Sequence, residues 1–442
     1  MAKLARISRY LILLSLASFI SVVTLLALQG HDENPEFPPI SLDHPAIRYV
    51  DSAPNDPVAR LQKRLDKGEV KLEFDAKTGY LRSVLQLLGI NVDSQVLVFS
   101  KTSSQVSQIS PVTPRAIYFR DDASVGYVQR GRVLEFAALD PKEGMIFYTM
   151  ETGKSAKPEF SREELNCLQC HMSPATLNIP GIMVSSLYPS SESFGGVSAF
   201  ATDHRIPLEE RWGGWYVTGL HGTLHHRGNA IFDSFGNLVE GDAAQTQNVT
   251  SLAGRINTGD YVAPTSDIVA LMTLEHQTRM SNLITRIAWE TRTAISDGKL
   301  KNFQSRLDAD VEEFVTYMTF ADEAAIPSPI QGVSSFTKTF AERGPRDKQG
   351  RSLRDFDLQK RLFRYPLSYM IYSAAFDSIP SIARDKIYRK LYDVLTGKDT
   401  DSAFAKLSSD DRRAVFEILM DTKPGLPAYW RRTANTPVPS SQ

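Results

Sequence analysis

The sequence predicts an α+β protein: an N-terminal apolar helix, then a small antiparallel β region, then a segment with long loops, then a mainly α-helical C-terminal half. Three observations support this class. An uncharged apolar run lies near the N-terminus, short β-type runs such as RAIYFR and MIFYTM lie between residues 115 and 150, and apolar residues recur every three or four positions from residue 268. With 442 residues and 42% hydrophobic content, the chain is long enough for two or three globular domains.

Residues 1–30 are predicted to be a signal peptide or a membrane anchor. Lys3, Arg6 and Arg9 precede an uncharged run at 10–28, YLILLSLASFISVVTLLAL. That run is close to the ~20 residues needed to cross a bilayer and longer than the roughly 7–15 residues of a secretory apolar core. No small-x-small cleavage site follows, which favours an anchor over a cleaved signal. The body is therefore expected in the periplasm, either anchored to the inner membrane or released.

The rest of the N-terminal part divides into a linker and a mixed domain. The formal net charge of the chain is −1, and three basic residues fall in the first 30, so the body is slightly acidic and no nucleic-acid partner is expected. Residues 31–58 are rich in Pro, Asp and Asn and predict a linker. Residues 59–160 predict a mixed domain, with helical spacing at 57–67 and 79–89 followed by an antiparallel β meander.

The only two cysteines, Cys167 and Cys170, lie in the segment SREELNCLQCH. A disulfide between them would close almost no loop and add little stability, so another role is expected. Ser161 and Glu164 have the spacing of a capping box, which predicts that a short helix carries both cysteines. His171 follows the second cysteine directly.

A Cys-x-x-Cys-His sequence is the attachment site of a c-type haem. Two thiols on one turn add to the vinyl groups at one edge of the porphyrin, and the adjacent histidine ligates the iron. We therefore predict one covalently attached haem c, with Cys167 and Cys170 as attachment points and His171 as proximal ligand. A thioredoxin-like dithiol, which requires a βαβ context, and a zinc site, which requires further ligands, are the alternatives.

Through CLQCH the chain resembles the cytochrome c superfamily. The segments PRAIYFRDD, ERWGGWYVTG and TKPGLPAYW are also similar to segments of exported bacterial cytochrome c-domain proteins of unknown role. The resemblance implies the cofactor but no activity. In small class I cytochromes a methionine ligand is expected a few tens of residues after the motif. Met172 and Met183 lie too close here, and the next methionine is Met272.

The second axial position of the iron has three groups of candidates in the predicted haem-binding region, 161–262, and beyond it. The segment GLHGTLHHRGN places three histidines within six residues, and His221, between two glycines, is slightly preferred over His226 and His225. Local hydrogen bonding in a surface loop is the competing interpretation. A second group lies on one helix face, for which core packing is the alternative: Met272, His276 and Met280. The third candidate is Met183.

Arginines and aromatic residues of the same region are candidates for the haem surroundings. Haem propionates are carboxylates, which arginine binds bidentately, so Arg205, Arg211 and Arg227 are possible contacts; ordinary ion pairs are the alternative. Aromatic side chains would wall the haem or pack in the core: Trp212, Trp215 and Tyr216.

Residues 263–432 predict an α-helical region, and 433–442 a flexible tail. The predicted helices lie at 268–287, 300–320, 353–364, 367–376, 381–396 and 408–421, the last opening with a Ser408 to Asp411 capping box.

The sequence thus predicts a mono-haem c-type cytochrome that transfers electrons between redox partner proteins in the periplasm or membrane. Two alternatives remain. One is a haem enzyme with an open distal site, such as a peroxidase-like or small-molecule oxidoreductase, which the size of the body favours. The other is a haem-based sensor. The group opposite His171 decides between an electron carrier and the two alternatives.

Overall fold

The computed structural model describes residues 38–100, 102–189, 197–232, 238–240 and 243–433. The predicted signal or anchor at 1–30 and residues 434–442 of the tail predicted at 433–442 lie outside these ranges. The described chain is an α+β fold in which one hydrophobic core extends from Ile47 to Trp430.

A seven-stranded antiparallel sheet forms the β part, so the prediction of a small β region was wrong. Its strands are β1 Val96–Val98, β2 Arg115–Arg120, β3 Ala123–Tyr127, β4 Val133–Asp140, β5 Gly144–Glu151, β6 Ser161–Arg162 and β9 Trp215–Tyr216. The strand order is β6-β5-β4-β3-β2-β1-β9. The predicted meander accounts for β2 to β5. The edge strands β6 and β9 are only two residues long, too short to show the alternation from which strands are predicted.

Within the described ranges, four further strands form two antiparallel pairs outside this sheet. The pairs are β7 Val184–Pro189 with β8 Val197–Thr202, and β10 Ile231–Phe232 with β11 Leu238–Glu240.

The two faces of the large sheet differ. On one face, Tyr148 donates a hydrogen bond to Asp56, the N-cap of helix α1 (Pro57–Asp66), and helix α2 (Leu81–Leu88) packs beside it on β3. This face is buried. On the other face Ile117 and Ala137 stay partly exposed.

The helices confirm most of the predicted pattern. Beyond α1 and α2 they are α3 Leu168–His171, α4 Ala243–Thr246, α5 Ile268–Ser296, α6 Gln304–Met318, α7 Phe336–Ala341, α8 Ala374–Asp377, α9 Ser381–Leu395, α10 Ser409–Thr422 and α11 Ala428–Thr433. The predicted helices at 268–287, 300–320, 381–396 and 408–421 are present, and Ser408 accepts the predicted capping bond from the Asp411 amide.

Two helix predictions fail. Residues 353–364 form turns in which Phe356 and Phe363 pair as an antiparallel bridge. Residues 367–376 split into a 3-10 turn at Tyr369–Tyr372 and α8, because the side chains of Ser368 and Ser373 each cap a new turn. Serine hydroxyl groups that accept hydrogen bonds from nearby backbone amides favour two short turns over one continuous helix.

Among the described residues, no helix is long and apolar enough to cross a membrane. The longest helix, α5, has 29 residues but buries ionisable side chains such as Glu275, Arg279 and Arg286. The run at 10–28, on which the membrane prediction rested, lies outside the described residues.

Candidate functional site

The Cys-x-x-Cys-His turn follows directly from the edge of the large sheet. Ser161 pairs with Thr149 in β6, and the Glu163 amide donates to the Phe147 carbonyl. The strand pairing thus continues through the residues predicted to begin the helix. Helix α3 starts only at Leu168, with Cys167 as its N-cap, so the predicted Ser161 capping box was wrong.

His171 is held in one orientation by its surroundings. Its Nδ1 lies 3.0 Å from the carbonyl oxygen of Gly181, and its ring centroid lies 4.7 Å from that of Phe147 on β5. A carbonyl can only accept, so Nδ1 carries the proton and Nε2 keeps its lone pair. Among the described residues, none hydrogen-bonds to Nε2. Burial lowers the pKa of His171 to about 4, so the ring is neutral at pH 7, as a metal ligand must be.

Gly181 fixes this geometry from both sides. Its amide donates to the His171 carbonyl at 2.9 Å while its own carbonyl accepts from the ring. The side chain of Asn282, on α5, holds the next residue by bonding both the amide and the carbonyl of Ile182. A Cβ on Gly181 would lie 2.3 Å from Asn282 Oδ1, so only glycine fits at this position.

The two cysteines are free thiols in different environments. Cys170 is exposed, and Cys167 is half-buried against the core. Burial, with the nearby Glu163 and Glu135 carboxylates, raises the pKa of Cys167 to about 11. Dithiol exchange needs a thiolate, which a catalytic cysteine at a helix N-terminus normally provides through a lowered pKa. The raised value therefore argues against the thioredoxin-like alternative.

His221, the preferred distal ligand, has the opposite tautomer. The Asn248 amide donates to its Nε2 at 3.0 Å, so Nε2 supplies the lone pair and the proton is on Nδ1. Nδ1 is buried and has no hydrogen-bond partner in the part of the chain that the structure describes. Burial lowers the pKa of His221, so the ring stays neutral. No lone pair is left for a metal ion in this arrangement.

The neighbouring histidines, His226 and His225, lie in different environments. The Gly228 amide donates to Nδ1 of His226, a buried ring lying 4.8 Å from that of His221. Burial lowers the pKa of His226 to about 3. His225 is exposed, and none of the described hydrogen bonds involves its ring.

His276 belongs to a buried hydrogen-bonded chain instead. Its Nδ1 lies 2.9 Å from Nδ1 of His204, and its Nε2 lies 2.8 Å from Ser368 Oγ. His204 in turn contacts Asp322 through Nε2 at 3.2 Å. Both nitrogens of His276 are therefore engaged, and the ring is fully buried.

Helix α5 separates the His221 loop from the His171 turn. The amide of Ile268, at the start of α5, donates to Thr218, three residues before His221. Asn282, beside the His171 turn, lies 14 residues further along the helix, or about 21 Å at 1.5 Å per residue. Two nitrogen ligands of one metal ion lie about 4 Å apart. The structure therefore does not bring His221, His225 or His226 to His171.

The candidate propionate arginines are engaged within the protein. Arg211 is buried and pairs with Glu275 at 3.1 Å, while Arg205 forms a double contact with Asp203. The Arg227 guanidinium lies over the rings of Tyr188 and Phe200.

The candidate aromatic wall and the methionine candidates mostly lie in the core. Trp212, Trp215 and Tyr216 are buried, and so are Met272 and Met280 on α5. Met183 is partly exposed, two residues after the glycine that binds Nδ1 of His171.

Sequence reasoning missed four residues of the site: Phe147, Gly181, Arg115 and Glu135. Arg115 and Glu135 form an ion pair at 2.7 Å on the partly exposed face of the sheet, next to the His171 turn. A signal was present, since Arg115 begins one mostly apolar strand run and Glu135 lies inside another. Their pairing depends on strand register, which the sequence pattern leaves open.

In the part of the chain that the structure describes, no three His, Cys, Asp or Glu side chains form a group that would hold a metal ion. A haem, in contrast, needs only one protein nitrogen on the proximal side of its iron. Comparison with protein-family models, curated proteins and solved structures found no match to this chain.

Proposed function

We propose that the chain is an exported mono-haem c-type protein that passes single electrons between redox partner proteins. The observation that carries the proposal is the His171 ring, whose Nδ1 proton faces a carbonyl and whose Nε2 lone pair accepts no hydrogen bond from a described residue. Cys167 and Cys170 lie on the same helical turn. This donor set fits a covalently attached haem.

Each residue of the turn has a distinct role in this proposal. The bound haem supplies reversible one-electron iron chemistry. Cys167 and Cys170 would hold the haem covalently through their sulfur atoms, and Nε2 of His171 would bind its iron. Gly181 fixes the tautomer and rotation of the imidazole, as the carbonyl partners of metal-binding histidines do, and Phe147 packs against the ring.

Attachment of this haem is expected to take place outside the cytoplasm. The uncharged run at 10–28 behind three basic residues supports export of the body. We infer that the protein works in the periplasm.

The test is production of the full chain together with a bacterial cytochrome c maturation system. We expect haem that remains on the polypeptide in a denaturing gel, and its loss in the Cys167→Ser/Cys170→Ser double variant. His171→Ala is expected to alter the absorption spectrum, whereas the exposed control His225→Ala is expected to leave it unchanged. A wild-type chain that matures without covalent haem would refute the proposal.

A second candidate function is binding of a small exogenous ligand at the sixth iron position. It is favoured by the engaged lone pairs of His221, His226 and His276, which leave these three rings unable to act as the distal ligand as they stand. Such a site would make the protein a haem enzyme or sensor.

Addition of carbon monoxide to the reduced haem protein separates the two functions. Rapid formation of a carbonyl spectrum is expected for an open position. A low-spin spectrum that carbon monoxide does not change would contradict the second candidate and leave electron transfer alone.

A further inference from the structure

We propose that the ion pair between Arg115 and Glu135 tunes the reduction potential of the haem held by the His171 turn. The inference rests on the proposed function, because it concerns the same turn. It assigns a role to two charged residues of the sheet that lie outside the Cys-x-x-Cys-His sequence.

The register of the sheet brings Glu135 close to the proximal histidine. Ala137 on β4 pairs with Phe147 on β5, and Glu135 lies two residues from Ala137 on the same face. Glu135 and Phe147 are therefore diagonal neighbours, whose separation is typically about 7–8 Å. The ring of His171 lies on Phe147, with 4.7 Å between centroids.

A glycine allows the arginine to reach this carboxylate across an intervening strand. Arg115 is on β2 and Glu135 on β4, and Gly126 on β3 pairs directly with Glu135. A Cβ on Gly126 would lie 2.7 Å from Nη2 of Arg115, so a side chain there would collide with the guanidinium. Nη2 of Arg115 lies 2.7 Å from Oε2 of Glu135.

The carboxylate is held in its charged form. Its Oε1 accepts hydrogen bonds from Ser103, Ser104 and Gln105. Burial alone would raise the pKa of Glu135, but the Arg115 guanidinium and these hydrogen bonds hold it below its usual value. Two opposite fixed charges therefore lie beside the turn at neutral pH.

Both charges act on the residues that would hold the haem. Glu135 is a diagonal neighbour of Phe147, on which the His171 ring packs, and Arg115 is paired with Glu135. A negative charge near the iron stabilises Fe(III) over Fe(II), and a positive charge does the reverse. Acting over the distance from the sheet to the haem iron, one such charge shifts the Fe(II)/Fe(III) equilibrium by about three- to tenfold.

The experiment is a redox titration of the haem-loaded full chain and of single variants at pH 8. Glu135→Gln, which keeps a side-chain oxygen for the local hydrogen bonds, is expected to increase the Fe(II)/Fe(III) ratio at a fixed potential by about three- to tenfold. Arg115→Gln is expected to decrease it, and Arg115→Lys to keep the wild-type value. A merely structural role would not give shifts of opposite sign.

The matched control is Asp411→Asn, which removes the carboxylate of the Arg361–Asp411 pair. The side chains of Arg361 and Asp411 are 18% and 17% exposed, against 21% and 15% for Arg115 and Glu135, but they lie among the C-terminal helices. The Asp411→Asn variant is expected to leave the reduction potential unchanged. Haem-loaded variants whose potentials all equal the wild-type value, or move in one direction, would overturn the inference. Absence of covalent haem from the wild type would instead refute the proposed function.

Discussion

Gly181 is the residue on which the orientation of His171 depends most. Replacing it with alanine would put a methyl group 2.3 Å from Asn282 Oδ1. We expect Gly181→Ala to lower the free energy of unfolding by about 1–3 kcal/mol, as overpacking does in a filled site. Gly153→Ala is the control, because a Cβ there meets nothing within 4 Å. Urea unfolding of the two variants tests this, and equal stabilities would contradict it.

His226 provides a residue-scale test of pH dependence. Its pKa is about 3 in the folded state, against 6.5 in the unfolded chain. The unfolded state therefore binds the extra proton between these values, and stability falls as the pH drops below 6.5. From pH 7.5 to pH 5 the loss from this residue is about 2 kcal/mol.

The measurement compares the wild type with His226→Asn, whose Oδ1 can accept from the Gly228 amide in place of Nδ1. Urea unfolding at both pH values isolates the His226 contribution, since other titrating groups such as Glu275 are common to both proteins. An identical loss of stability in the two proteins would show that His226 is not buried in its neutral form.

At the residue scale, spacing alone pointed to the Cys-x-x-Cys-His turn as a haem site, which stays a prediction. It did not predict which histidines keep a lone pair. That depends on Gly181, ten positions after His171, and on Asn248, 27 positions after His221. Such partners are set by tertiary structure and leave no periodic signal in the sequence.

At the scale of elements, the cap of α5 links this helix to the loop that precedes α7. Asp267 is fully buried, and its carboxylate accepts from the amides of Val269, Ala270, Val333 and Ser334. We expect Asp267→Ala to cost about 3 kcal/mol or more, because several buried donors lose their acceptor. Ser408→Ala, at the exposed cap of α10, is expected to cost about 1 kcal/mol.

Thermal or urea unfolding of both cap variants measures the difference. Equal losses would mean that the loop amides find other acceptors when the Asp267 carboxylate is removed.

Elements with strong periodicity were predicted, and those set by contacts with distant chain segments were not. Helix α5 is long enough for apolar residues to recur over several turns, and the strands β2 to β5 are long enough to show β-type runs, so each could be identified as helix or strand. The turns at 353–364 failed because apolar spacing alone cannot tell a helix from a segment whose Phe356 and Phe363 pair with each other.

At the scale of the whole molecule, one core joins the sheet and the helices. Trp289 on α5 packs edge-on against Tyr49, and its indole donates to the Lys142 carbonyl between β4 and β5. The α+β composition was predictable from local pattern. The size of the sheet and its pairing with Trp215–Tyr216 were not, because they join segments more than 100 residues apart.

The contacts between His171 and Gly181 also have an entropic consequence. An exposed imidazole samples several rotamers, and fixing one of them on binding costs free energy. Here folding itself orders the ring through Gly181 and Phe147. A ligand that meets Nε2 therefore binds a preorganised donor, and more of its interaction energy is retained as affinity.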